Sequence, residues 1–173
     1  MQRVRVAVER ASSSDLFGLL GLPAQFDLDP SVIEQAFFEK SKQTHPDRFP
    51  PAERVQALMV SRAVNDAYKV LKNPVARAEY LLAQAGVTIG GNEQVEPELL
   101  MEILELREEL AENRKNVAVV ERLQAEMQRR RDVAVGALPG LFVRADLPEI
   151  KKQLIVLRYL DRYLEECNAV TDQ

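Results

Sequence analysis

Hydrophobic residues in the first half of the chain recur at helical spacing between proline and glycine residues. A long helix is predicted after Pro51, because its hydrophobic residues lie three or four positions apart. These residues are Ala57, Val60, Val64, Ala67 and Leu71. Asp29 followed by Pro30 is a good cap and first-turn pair, which predicts a preceding helix that runs to about Thr44. The two helices can pack antiparallel as a hairpin.

Shorter helices are predicted on either side of this hairpin. One runs from Asp15 to about Leu20, and the other runs from Val75 to Ala85 after the break at Pro74. Together the four helices predict a compact N-terminal domain over residues 13–85. Residues 1–12 are interpreted as a flexible tail, since the alternating stretch at 3–6 has no obvious strand to pair with.

The second half of the chain begins with a glycine-containing segment over residues 86–96 that has few large hydrophobic residues, and we interpret it as a linker. Three longer helices are predicted beyond it, at about 97–114, 117–138 and 146–168. Glycine and proline between positions 136 and 140 indicate that the middle helix ends there. Short loops between such helices predict an antiparallel three-helix bundle over residues 97–173, so the predicted fold class is all-α.

The first bundle helix carries two hydrophobic stripes where a core needs one. Leu99, Ile103, Leu106 and Leu110 form the natural core stripe. The second stripe consists of Leu100, Met101 and Leu104, bordered by Glu105 and Glu108. A helix with two neighbours does not need both stripes, so the second is either buried under another element or exposed for binding. Tyr159, opposite Ile150 on the last helix, has no need to be in the core either.

Composition narrows the classes of function. Hydrophobic residues make up 46% of the chain, which is enough for real cores, and 27 acidic against 23 basic residues argue against nucleic-acid binding. No hydrophobic run is long enough to span a membrane, so a cytoplasmic protein without a membrane partner is expected. One cysteine, Cys167, and one histidine, His45, predict no metal site and no cofactor. With no nucleophile or phosphate-loop motif, the chain is not expected to be an enzyme.

Two charged features of the bundle have structural interpretations. The consecutive residues Arg129, Arg130 and Arg131 point in different directions on a helix and are interpreted as a solvated face. Asp161 falls on the core-facing side of the last helix and is expected to pair with an arginine, which the sequence does not identify.

The triplet His45, Pro46 and Asp47 lies between the two hairpin helices. Proline pushes the preceding residue out of helical geometry, so the helix is expected to end at His45 and to hold Asp47 outward. An exposed carboxylate suits an arginine of a partner protein, because that pairing is charge-assisted and geometrically defined. The alternative is an ordinary turn with a solvated aspartate.

With this triplet between two amphipathic helices, the chain resembles the J-domain family. In that family the triplet stimulates ATP hydrolysis by a DnaK-type chaperone, and a basic face on the helix before it assists binding. The resemblance implies that His45, Pro46 and Asp47 bind a chaperone ATPase, with Lys40, Lys42 and Arg48 beside them. Solvated surface lysines are the alternative.

Further segments resemble a narrower family, the HscB co-chaperones, over about residues 14–168. They are Val64–Tyr68, Asn73–Pro74, Arg77–Leu82, Leu104–Leu110 and Leu157–Asp161. The resemblance implies a J-domain joined to a bundle that binds the IscU-type scaffold of iron-sulfur cluster assembly, and an HscA- or DnaK-type chaperone as second partner. The positions that match the scaffold-binding patch are Leu100, Met101, Leu104, Glu105, Glu108 and Tyr159, where the family can carry Phe in place of Tyr159.

Alternatives to this interpretation stay open at the level of sequence. A J-domain co-chaperone that delivers a different client through the same bundle face has the same features. Leu100 and Leu104 could instead pack between the domains, and Met101 with the two glutamates could be plain surface.

Overall fold

The computed structural model describes residues 15–91 and 93–171, and within them it contains helices but no strand. The predicted tail at 1–12, with its alternating stretch at 3–6, lies outside the described residues. The chain forms two compact units that divide between Leu81 and Leu82. The predicted all-α fold class is confirmed, while the residue limits predicted for the domains and the linker stay a prediction.

The first unit is built on a helical hairpin. Its helices are α1 (Leu16–Leu20), α2 (Pro30–Thr44) and α3 (Arg54–Lys72), followed by α4 (Pro74–Gln84), which crosses the division between the units. The Asp29 carboxylate accepts a hydrogen bond from the Ser31 amide at 2.8 Å, so the predicted cap begins α2. Helices α2 and α3 lie side by side around a core of Phe17, Leu20, Ile33, Val60, Val64, Ala67 and Leu71.

The second unit contains three helices, α5 (Pro97–Glu112), α6 (Val117–Val143) and α7 (Leu147–Thr171). Ion pairs between α5 and α6 join Glu102 to Arg130 and Glu109 to Arg122, so these two helices run in opposite directions. The core contains Leu110, Val120, Leu123, Met127, Leu160, Tyr163, Leu164 and Cys167. The predicted three-helix bundle is therefore confirmed, with α5 and α7 running parallel to each other and antiparallel to α6.

The predicted end of the middle bundle helix at Leu138 is wrong, because α6 continues through Pro139 to Val143. Proline in a helix interior loses one hydrogen bond, but its backbone angle is compatible with a helix. Leu138 and Leu141 are both buried, and they extend the core stripe of α6 that begins at Val120. Burial of these side chains offsets the cost of the proline, which the local sequence pattern did not reveal.

Two of the three consecutive arginines, which the sequence indicated as a solvated face, also form ion pairs with neighbouring helices. Arg130 pairs with Glu102 of α5, and Arg131 pairs with Asp161 of α7. The arginine partner that was expected for Asp161 is thus Arg131. Consecutive helical residues do point in different directions, and here two of those directions face neighbouring helices.

Candidate partner-binding sites

The His45–Asp47 turn forms the tip of the hairpin in the first unit. Helix α2 ends at Thr44, His45 is extended with φ of −61° and ψ of 129°, and Pro46–Arg48 form a single short 3-10 turn. The side chain of Asp47 is 83% exposed. Pro46 therefore ends the helix and presents the carboxylate to solvent, as the sequence predicted.

His45 stabilises this turn through a hydrogen bond to its backbone. Its Nδ1 accepts a hydrogen bond from the Asp47 amide at 3.3 Å, and the same nitrogen lies 3.7 Å from the Asp47 carboxylate. Within residues 15–91 and 93–171, no lysine or arginine forms an ion pair with Asp47. The carboxylate is available to a cation of a partner.

The three predicted cations near the turn have different surroundings. Arg48 is exposed and donates a hydrogen bond to the Lys42 carbonyl at 3.0 Å, which ties the turn to the last turn of α2. The Lys42 ammonium lies 5.4 Å from the centroid of the Phe38 ring, and both side chains are exposed. Lys40 is half-buried. The structure therefore places Arg48 and Lys42 beside Asp47 as exposed charges and Lys40 in a less accessible position.

The second stripe of the first bundle helix is exposed. Leu100, Met101 and Leu104 are 42%, 58% and 46% exposed, and Glu105 and Glu108 are exposed beside them. Tyr159 on α7 is half-buried. Of the two options that the sequence left for this stripe, the structure shows the exposed one.

Two ion pairs together with helical spacing indicate that Leu100, Leu104 and Tyr159 lie on facing sides of α5 and α7, along the groove between these helices. Arg107, one turn after Leu104, pairs with Glu166 of α7 at 2.7 Å. Glu166 lies two turns after Tyr159 on the same side of α7, so the stripe of Leu104 and the stripe of Tyr159 face each other.

The second ion pair closes the other end of the groove. Glu96, one turn before Leu100, pairs with Lys152 at 3.0 Å, and Lys152 lies two turns before Tyr159. The exposed hydrophobic surface is thus bounded at both ends by ion pairs that hold α5 to α7. The sequence analysis did not predict these pairs. The signal for them was that residues of opposite charge lie on the facing sides of α5 and α7.

The glutamates of α5 divide into two groups. Glu102 and Glu109 pair with arginines of α6, and the hydrogen bond from Arg130 lowers the pKa of Glu102 below its ordinary value. Glu105 and Glu108 form no ion pair within the part of the chain that the structure describes. The first group holds the bundle together, and the second borders the exposed leucines.

The described residues lack the features of a metal site, a reactive thiol and a membrane span. No group of three or more His, Cys, Asp or Glu side chains that could hold a metal ion occurs among residues 15–91 and 93–171. Cys167 is buried in the bundle core, and burial raises the pKa of its thiol. None of the helices in the described part of the chain is long and hydrophobic enough to cross a membrane.

A helical hairpin with an exposed His-Pro-Asp turn, joined to a three-helix bundle, defines the chain as a J-domain protein. The family model for the DnaJ domain matches residues 15–80, and the model described as the HSCB C-terminal oligomerisation domain matches residues 95–168. A co-chaperone protein HscB homolog from Bordetella petrii is 41% identical over 121 residues, which cover 67% of this chain and 71% of that protein. The chain belongs to the HscB family of co-chaperones.

Other similar proteins belong to the same family, and their matches cover different shares of this chain. The HscB homolog from Vibrio vulnificus (strain YJ016) is 54% identical over 101 residues, but the match spans 56% of this chain and 59% of that protein. The structure of the chaperone HscB from Vibrio cholerae has a TM-score of 0.79 at 32% identity, over 92% of this chain and 98% of that one. The human co-chaperone protein HscB has a TM-score of 0.83 at 26% identity, over 91% and 82% respectively. All are named as chaperones or co-chaperones, not as enzymes.

Proposed function

We propose that this chain is a co-chaperone of iron-sulfur cluster assembly with two partner-binding sites. The His45–Asp47 turn binds an HscA- or DnaK-type chaperone and stimulates its ATP hydrolysis. The groove between α5 and α7 binds an IscU-type scaffold protein through Leu100, Met101, Leu104 and Tyr159, with Glu105 and Glu108 at its edge. The observation that carries the proposal is the exposed carboxylate of Asp47, which pairs with no lysine or arginine of the described residues, in a chain of the HscB family.

The chemistry at the first site is recognition by charge. A carboxylate that protrudes from a rigid turn is already oriented for a bidentate hydrogen bond with an arginine of the chaperone. Lys42 and Arg48 beside it offer positive charge to acidic groups that flank such an arginine. All groups that act on ATP belong to the chaperone, and the chain supplies the contact that makes them act.

The chemistry at the second site is burial of hydrophobic surface with a charged border. Leu100, Leu104 and Tyr159 provide the anchor residues, since a tyrosine combines a hydrophobic ring with a polar tip. Glu105 and Glu108 have no cation of their own in the described residues, so they favour a partner with lysine or arginine at its edge. The proximity of the two partners on one chain couples scaffold delivery to ATP hydrolysis.

The first site is tested by Asp47→Ala. We expect stimulation of ATP hydrolysis by the chaperone to be abolished and the melting temperature to be unchanged, because the side chain is exposed and stabilises no helix. Asp66→Ala removes an exposed aspartate from α3 of the same unit and is the matched control. Full stimulation by Asp47→Ala would contradict the J-type mechanism.

The second site is tested by the double variant Leu104→Ala with Tyr159→Ala. We expect its affinity for an IscU-type scaffold to fall by about 2 kcal/mol or more, since hydrophobic anchors dominate such interfaces. Isothermal titration calorimetry measures the affinity, and Val133→Ala, at a 75% exposed valine of α6, is the control. Unchanged scaffold affinity would contradict the groove assignment. Absence of scaffold binding by the wild type, with stimulation retained, would indicate a co-chaperone for another client.

A further inference from the structure

A cleft of about 240 Å³ lies at the end of the groove that the Glu96–Lys152 pair marks. Val95, Pro148, Ile155 and Val156 provide its hydrophobic lining, and the polar side chains that line it are those of Gln94, Glu96, Lys151 and Lys152. Every one of these residues belongs to the second unit. The cleft lies outside the set of residues that the sequence assigned to partner binding.

The cleft and the Tyr159 position belong to one face of α7. Pro148, Lys152, Ile155 and Tyr159 lie three or four positions apart, so their side chains follow one stripe along the helix. On the other side of the groove, Glu96 lies one turn before Leu100. A protein segment that covers Leu100 and Tyr159 therefore reaches the cleft within one or two helical turns, about 5 to 11 Å along the bundle.

The charges at the rim determine which kind of group the cleft accepts. Lys152 pairs with Glu96 at 3.0 Å, and the neighbouring Lys151 pairs with Glu93 at 2.8 Å. Both ammonium groups are thus neutralised by carboxylates of the same chain, and no net positive charge is left to attract a phosphate or an acid. With these charges paired, the hydrophobic part of the lining favours a hydrophobic group.

The dimensions of the cleft agree with a single large side chain. A cavity of roughly 150 Å³ lined by hydrophobic residues is enough to bind benzene. A cleft of about 240 Å³ therefore has room for a leucine or phenylalanine side chain. The Glu96–Lys152 pair at the entrance is largely exposed on both sides, so its separation exposes no buried charge.

We propose that this cleft is an additional anchor pocket of the scaffold-binding groove, and that it takes one large hydrophobic side chain of the scaffold protein. This inference rests on the proposed function, because it names the protein bound at Leu104 and Tyr159 as the source of the side chain. The bound side chain covers Ile155, and Glu96 and Lys152 move apart to admit it.

The proposal is tested first on the wild-type chain by methyl NMR during titration with an IscU-type scaffold. We expect the methyl signals of Ile155 and Val95 to shift together with those of Leu100 and Leu104, while the exposed Val133 on α6 stays unchanged. If the methyl signals of Leu100 and Leu104 shift and that of Ile155 does not, the anchor pocket is wrong but the scaffold-binding function stands. Absence of shifts at all four residues would overturn the scaffold-binding function as well. In the absence of scaffold, the Ile155 methyl signal could shift as the concentration of this chain is raised. A second copy of the chain would then be the occupant of the cleft, and the proposal would be wrong.

A variant measures the contribution of the pocket to affinity. Val95→Asp places a charge in the cleft from a residue outside the helices, and we expect scaffold affinity to fall about tenfold, equal to roughly 1.4 kcal/mol. Val95→Leu should bind as the wild type does, and Val133→Asp, a charge placed elsewhere on the bundle, should change affinity less than twofold. Equal affinities of Val95→Asp and Val133→Asp would overturn the proposal.

Discussion

Two residues illustrate how a single backbone conformation decides a local structure. Pro46 ends α2 and forces His45 into extended geometry, and Asp47 is exposed as a consequence. Ala145, between α6 and α7, adopts a φ of 52°, and its amide bonds to the Phe142 carbonyl at 3.1 Å. A residue in this left-handed conformation ends a helix, and glycine is the usual choice there because a Cβ atom makes the conformation unfavourable.

Ala145→Gly is therefore expected to stabilise the protein. Relief of the unfavourable conformation contributes about 1 to 2 kcal/mol, and the greater freedom of glycine in the unfolded chain offsets roughly half of it. Urea unfolding should show a gain of about 0.5 to 1 kcal/mol. Ala125→Gly, at an exposed position inside α6, is the control and should lose about 1 kcal/mol. A loss at both positions would contradict the argument.

At the scale of the element, α5 combines structural residues with residues that we propose to bind a partner. Ile103 and Leu110 are buried, Glu102 and Glu109 pair with α6, and the side with Leu104 is exposed. The ion pairs that bound the groove join the same helix to α7. Each face of α5 thus makes a different set of contacts, and a substitution on one face need not disturb the contacts of another.

The pH dependence of stability distinguishes the two groups of glutamates on α5. The hydrogen bond from Arg130 lowers the pKa of Glu102 below 4.5, so its contribution to stability is present above pH 4.5 and is lost as the pH falls through the lowered pKa. Because both side chains are well exposed, we expect about 0.5 kcal/mol or less.

Glu102→Gln should lower the free energy of unfolding by that amount at pH 7 and by less at pH 3. Chemical denaturation at the two pH values measures the difference. Glu105→Gln, which removes an exposed carboxylate without an ion pair in the described residues, should have no effect at either pH. A pH-independent loss from Glu102→Gln would contradict the ion-pair argument.

At the scale of the whole molecule, one chain carries two proposed sites in two compact units. A short covalent connection raises the effective concentration of one bound partner near the other to the millimolar range. This effect requires both sites on the same chain and no new contact between the partners.

The proximity argument predicts that two defective chains do not complement each other. A mixture of Asp47→Ala with the double variant Leu104→Ala and Tyr159→Ala contains both intact sites, but on separate molecules. At micromolar protein, we expect the mixture to give at most about a tenth of the scaffold-dependent ATP hydrolysis of the wild type. Wild type diluted to half its concentration is the control, and restoration by the mixture to that level would contradict coupling by proximity.

The spacing of hydrophobic residues and the positions of proline and glycine were sufficient to predict most of the helices and the exposure of Asp47. The buried residues of α3 are the five that its spacing predicted, and Asp29 caps α2 as expected. The end of α6 was not predictable in this way, because Pro139 and its flanking glycines form a local signal to stop. Burial of Leu138 and Leu141 against other helices overrides that signal.

The sequence by itself determined the hairpin, the bundle and the exposed aspartate, because helical spacing and the backbone angle of proline are local properties of the chain. Only the tertiary structure decided which charges pair and which surfaces meet. The parallel arrangement of α5 and α7 brings Arg107 to Glu166 and Glu96 to Lys152, and it opens a cleft beside Ile155 between them. Such contacts depend on distances between residues that are far apart in sequence, and no local pattern encodes those distances.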